Sequence, residues 1–109
     1  QFWKMLTFYK ENKATVCALG ASTKGNVTLQ TWEVTPNDIS VIGDVNPDKD
    51  GSYTPGTWIP ILSEEKVLEQ DYDVYIVLPW HFKNFFIKNP KFKGKRLLFP
   101  LPTPEVIIP

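Results

Sequence analysis

An α/β fold, a mainly parallel sheet with helices on both faces, is predicted by three observations. Short apolar runs rich in branched and aromatic residues alternate with amphipathic stretches, so strands and helices take turns. The run DVYIVL, Asp73 to Leu78, is apolar almost throughout, as a strand covered on both faces must be. The 10 prolines, nearly twice the ordinary share of about 5%, fall almost wholly between these segments.

Taken in order, Phe2, Leu6 and Tyr9 share one helical face, widened by Trp3 and Met5, which predicts a short opening helix. Ala14 to Leu19, ATVCAL, is a continuous apolar run and the first strand, with Cys17 a small buried hydrophobe inside it. After GASTKGN, the segment VTLQTWEV forms a helix that turns Leu29 and Trp32 inward. Ile39 to Gly43 is the second strand and ends in Asp44. From Asn46 to Leu62 there is no clear periodicity. Ser63 then caps a helix reaching Gln70, and Glu64 and Glu65 sit where the helix dipole favours negative charge, a capping arrangement and not a catalytic pair.

Asp73 to Leu78 is the third strand, stopped by Pro79. His81 to Lys88 is a helix with Phe82, Phe85 and Phe86 on one side, and Lys95 to Phe99 is the fourth strand. The tail PLPTPEVIIP holds too many prolines for a central strand and is extended, with an edge strand at Val106 to Ile108. Strands separated by helices imply right-handed crossovers and a small Rossmann-like three-layer sandwich with a mainly parallel four- to five-stranded sheet. The favoured strand order, 2-1-3-4, places a switch point between the first and third strands, and ligands bind beyond the carboxyl ends at such a point.

The length of 109 residues fits one domain. Lysine plus arginine and aspartate plus glutamate each number 12, so no global field attracts phosphate backbones or anionic lipid, and neither nucleic acid nor membrane is an expected partner. A single cysteine, Cys17, excludes an internal disulfide framework and a cysteine zinc cluster, and it fits a reducing, cytoplasmic setting. One histidine, His81, makes a metal site equally unexpected. No run approaches the roughly 18 to 20 apolar residues of a membrane span, and QFWKMLTFYKENK lacks the apolar core of a signal peptide. The chain opens with Gln1 instead of methionine, which suggests a piece of a longer polypeptide or a processed product.

Three segments carry candidate chemistry. Gly20 to Asn26 is a glycine-bearing turn from a strand into a helix, which aims backbone N–H groups outward and favours anions. Ser22, Thr23, Lys24, Gly25 and Asn26 are the candidate contacts, and Lys24 adds a cation. Gly20 and Gly25 have the gap of a phosphate-cradling loop, but Asn26 and Val27 stand where a lysine and a hydroxyl residue would hold terminal phosphate and magnesium, which disfavours a nucleotide hydrolase. As a dinucleotide fingerprint the turn lacks one glycine, although Asp44 stands about where a ribose-binding acid belongs. A tight turn without a ligand is the alternative. The long central segment, with TPGT as its turn, is too apolar for a solvated linker. It either offers Tyr53, Thr54 and Thr57 to a ligand or simply covers the sheet edge. LPWH puts Trp80 and His81 at the same end of the sheet as the glycine turn. His81 reads as a proton carrier or phosphate donor, or as a helix cap, and Trp80 as a stacking platform or as core.

At GASTKGN, NPDKDGSYTPGTWIPI, LPWHF and the closing PLP, the chain resembles the C-terminal domain of the sugar C-methyltransferase family, enzymes that build branched deoxysugars. The resemblance spans nearly the whole sequence in four ordered segments. It implies that S-adenosylmethionine sits in a preceding central domain, that zinc is held by a small N-terminal domain, and that this C-terminal domain helps hold a nucleotide-linked sugar. Carried over by position, Ser22, Lys24, Gly25 and Asn26 match the family's K-G-N turn, Tyr53 to Thr57 its TPGT loop, and Trp80 and His81 its LPW segment. One departure is the approach DVNP, which lacks the arginine expected before NP.

The leading expectation is therefore a non-catalytic module that binds a nucleotide-linked sugar, joined to its own upstream methyltransferase domain, with no cofactor of its own. A NAD-type dinucleotide domain of an oxidoreductase and a docking domain with an empty cleft are the rivals, since fold alone does not fix function.

Overall fold

Neighbouring residues of a strand face opposite ways, and this chain fills both directions with apolar groups. The computed structural model describes residues 2–109 apart from the side chains of Thr23 and Lys24; the expectation drawn from Gln1 falls outside the described residues. The elements are α1 (Phe2–Glu11), β1 (Val16–Leu19), α2 (Thr23–Thr31), β2 (Ile42–Asp44), β3 (Ile61–Ser63), α3 (Glu64–Glu69), β4 (Val74–Val77), α4 (Lys83–Lys88), β5 (Leu97–Phe99) and β6 (Glu105–Ile107). Short 3₁₀ turns lie at Pro47–Lys49, Trp80–Phe82 and Pro90–Phe92.

The strands form one six-stranded sheet in the order β3-β2-β1-β4-β5-β6. Every pair is parallel except β5 with β6. The four strands read from sequence keep their expected order, and β1 pairs with β4 from Val16 opposite Val74 to Leu19 opposite Val77. The sheet is larger than expected because Ile61–Ser63, read as the end of a loop, is a strand at the edge beside β2. It is three residues long and follows Pro60, so it is too short to show a period.

One face of the sheet presents Val16, Ala18, Ile42, Val74, Ile76 and Leu98 to Phe2 and Leu6 of α1 and Leu29 of α2. The other presents Cys17, Leu19, Tyr75, Val77, Leu97 and Phe99 to Val67 of α3 and Phe86 of α4. Cys17 is fully buried, and that burial pushes its thiol well above the ordinary cysteine range, as suits a packed hydrophobe. Trp32 stacks on Phe2 with ring centroids 4.2 Å apart, fixing α1 to the end of α2. Ser63 caps α3 as expected, its Oγ accepting from the Lys66 N–H at 3.3 Å.

Among the described residues, no helix is long and apolar enough to cross a membrane.

Candidate ligand-binding site

β1 ends at Leu19 and the chain turns at Gly20, whose φ of +89° is one that side-chain-bearing residues rarely adopt. A Cβ there would lie 2.7 Å from Pro79 Cδ, so the turn leaving β1 is pressed directly on the residue that ends β4. These are the two strands of the switch point, and their contact divides the carboxyl rim of the sheet into two clefts. Pro79 and Phe82 line both.

The first cleft, on the α1 and α2 side, has a volume of about 630 Å³ and is walled by Ser22, Thr28, Trp80, His81 and Leu101 beyond the shared ridge. Ser22 is the N-cap of α2, and its Oγ accepts from the Gly25 N–H at 3.1 Å. The helix thus begins at Thr23, four residues before the sequence pattern suggests. Gly25 makes this start possible: a Cβ on it would come 2.8 Å from Gly20 O and 3.2 Å from a Leu78 methyl. Trp80 is half-buried and meets His81 edge to face at 5.5 Å between centroids. His81 is exposed and flanked on its other side by the Phe82 ring at 4.4 Å. It occupies the middle of a 3₁₀ turn.

The second cleft, on the α3 and α4 side, has a volume of about 430 Å³. Asp44 lies here, buried, and not beside Ser22 and His81. Its Oδ2 accepts from the Ala21 N–H and its Oδ1 from the Asn46 N–H, both at 2.8 Å. Lys49 Nζ stands 3.8 Å from Oδ2 and donates to Ala21 O at 2.6 Å, so the Asp44 carboxylate has a cationic neighbour. The Asp44 carboxylate therefore ties the turn after β1 to the turn after β2.

The TPGT loop sits elsewhere. Thr54 and Thr57 are buried and their hydroxyls bond each other, while Thr54 Oγ1 also accepts from the Ile59 N–H at 2.9 Å. Gln30 Nε2 donates to Pro55 O at 2.7 Å, which fastens the loop to the last turn of α2. Gln30 follows Ser22 by eight residues, about 12 Å along a helix axis. Tyr53 is exposed and tilts against Trp58 at 6.5 Å between centroids. The structure thus gathers Ser22, Trp80 and His81 into one cleft and does not bring Tyr53, Thr54 or Thr57 to them. The Asn26 Oδ1 is buried without a hydrogen-bond partner. The Thr23 and Lys24 side chains, also among the expected contacts, lie outside the described residues.

Sequence reasoning missed one pairing. Glu64, read as a cap only, is buried and forms an ion pair with Lys91 at the wall of the second cleft. No local pattern links two residues so far apart in the chain. The exposed Phe82 and Phe85 beside them had a signal, three phenylalanines on one short helical side just past a strand end.

The fold and rim define a Rossmann-like module with clefts on both sides of a parallel switch point. The chain belongs to the C-methyltransferase C-terminal domain family, whose model matches residues 1–102. It is similar to the C-methyltransferase NovU of Streptomyces niveus, with 34% identity over 96 residues, covering 85% of this chain and 23% of that protein. The chain spans less than a quarter of the length of this curated relative.

Proposed function

We propose that this domain is the substrate-holding part of an S-adenosylmethionine-dependent C-methyltransferase, inactive alone, and that its first cleft receives a nucleotide-linked sugar of the deoxysugar class. One observation carries the reading: Ser22 at the head of α2, Trp80 and His81 line one cleft at the carboxyl ends of β1 and β4. A helix start leaves backbone donors that suit a diphosphate, His81 adds a donor, and Trp80 offers an apolar surface to a sugar ring.

Methylation at carbon needs a base to form a carbanion and a methyl donor aligned with it. On this reading both belong to an upstream domain of the same enzyme, and this chain binds and orients. Its residues do not suit the two groups the family implies. Among the described residues no cluster of three His, Cys, Asp or Glu could hold zinc. The acid after β2 that would hold an adenosyl ribose, Asp44, already accepts two backbone N–H groups. The same two bonds, with Pro79 pressed on Gly20, disfavour a NAD-type dinucleotide site. The lone buried Cys17 supports a cytoplasmic setting.

Titration of the 109-residue chain with TDP-rhamnose, followed by amide NMR, tests the proposal. Ser22, Gly25, Asn26 and His81 should shift together and saturate. Unmoved signals at all four would leave the domain as a docking scaffold and sink the reading.

A further inference from the structure

The sheet has two edges, and the chain treats them differently. At the β3 edge the main chain closes over its own strand: the Gly51 N–H donates to Ile61 O at 2.9 Å, the Ile61 N–H to Ser52 O at 2.8 Å, and the Ser63 N–H to Asp50 Oδ1 at 3.1 Å. The β6 edge has no such cover among the described residues. The ladder determines which of its groups are open. The Tyr75 N–H donates to Arg96 O in a register that sets Tyr75 beside Leu97, so the main-chain groups of Leu98 turn to β4 and those of Leu97 and Phe99 turn to β6. Opposite Leu97 and Phe99 stand Ile107 and Glu105, whose own groups are therefore engaged with β5. Val106, and Ile108 just past the strand, point their N–H and C=O the other way, as a template for another strand. The side chains leave that row accessible. Val106 and Ile107 are half-buried against opposite faces of the sheet, and Ile108 leaves 56% of its surface in solvent. The charge that commonly guards an edge is neutralised here, because Glu105 is paired with Lys83 of its own chain. Pro109 O accepts from the Gly94 N–H at 2.9 Å, which keeps the last residues alongside the sheet.

We infer that this edge pairs with the same edge of a second copy of the chain, antiparallel, about a twofold axis at Ile107. The spacing of the open residues selects a second copy. Rotation about Ile107 sets Val106 of each copy opposite Ile108 of the other, and each such pair exchanges both its N–H···O bonds. Ile107 meets its own image on one face, while Val106 and Ile108 meet on the other, so the exposed Ile108 gains an apolar neighbour. Glu105 falls opposite Pro109 and not opposite another Glu105, so no like charges face each other. One sheet then runs through both copies. The contact is a single short strand wide and belongs to the weak, concentration-dependent class. Val106, Ile107 and Ile108 line neither cleft of the rim, so pairing leaves both open.

Sedimentation equilibrium of the 109-residue chain, from micromolar to millimolar concentration, tests the pairing. The mass should rise from 12.5 kDa towards twice that value. Hydrogen exchange supplies the signature: the amides of Glu105 and Ile107 should be protected at every concentration, those of Val106 and Ile108 only where the dimer forms. Ile108→Pro removes an outward donor from each copy and leaves the bonds to β5 in place. It should weaken the dimer at least about tenfold, with thermal melting of the dilute protein unchanged. Ile108→Val keeps both the donor and an apolar side chain and should dimerise as the native chain does. A mass of 12.5 kDa throughout, a dimer that Ile108→Pro leaves equally tight, or fast exchange at Val106 and Ile108 within the dimer overturns the inference. Slow exchange at those two amides in the dilute monomer would show the edge already covered and overturns it equally.

Discussion

The turn that leads from β1 into α2 and the TPGT loop are built from the same ingredients, glycine and hydroxyl residues, yet the fold employs them differently. In the turn, Ser22 organises a helix start and still forms part of a cleft wall. In the loop, the Thr54 and Thr57 hydroxyls face each other in the interior, and the loop is pinned to the far end of α2 by Gln30. Polar residue type therefore does not mark a binding loop; what matters is whether the fold consumes the polar atoms in holding the backbone.

The largest effect should come from the turn. Gly20→Ala sets a side chain at positive φ and against Pro79, and should cost about 3 kcal/mol in urea denaturation. A loss under about 1 kcal/mol would mean that the two rims are not in contact. Next, Thr54→Val keeps the shape but strands the buried Ile59 N–H, for a loss of about 2 kcal/mol. Ligand affinity should not change. If Thr54→Val instead weakened TDP-rhamnose while stability held, the loop would be a ligand loop after all and the contrast would fail.

Acid offers a control away from both regions. Burial alone would raise the Asp38 carboxyl, but the Lys10 ammonium at 2.6 Å, with the Thr35 N–H and hydroxyl, holds it below the usual carboxylate range. A lowered folded-state value means the unfolded chain takes up the proton first. The contribution is full above the unfolded value of about 3.9 and is lost as pH falls through the lower folded value. Asp38→Asn should flatten that part of the stability profile, read by thermal melts across the acid range, without altering the rim. Smallest of all, Tyr53→Ala removes an exposed ring from the loop and should move stability by less than about 0.5 kcal/mol, with unchanged affinity.

The central sheet was legible because its strands are continuous apolar runs, and their parallel order follows from the intervening helices. β3 was not, since three residues after Pro60 at a sheet edge carry no period. The start of α2 was hidden because Gly25 looks like a loop residue; its missing side chain is what lets the helix approach Gly20 O and Leu78. At the rim, strand ends located Ser22, Trp80 and His81, because a parallel sheet delivers those ends to one side. The fates of Asp44 and of the TPGT hydroxyls were invisible, since each depends on which backbone N–H or side chain comes within about 3 Å. The Glu64 and Lys91 pair joins residues that only the folded chain brings near.

Pro79 has no N–H to donate and its carbonyl is taken by Phe82, while the Gly20 N–H goes to Gly43 O. The contact between Gly20 and Pro79 themselves is consequently one of dispersion, a fraction of a kcal/mol for each pair of atoms, and the nearest polar link is the Leu78 N–H to Leu19 O bond at 3.1 Å just beneath it. Parting Gly20 from Pro79 breaks no polar link between those two residues, whereas any wider opening must unzip the ladder of β1 and β4 that lies beneath them.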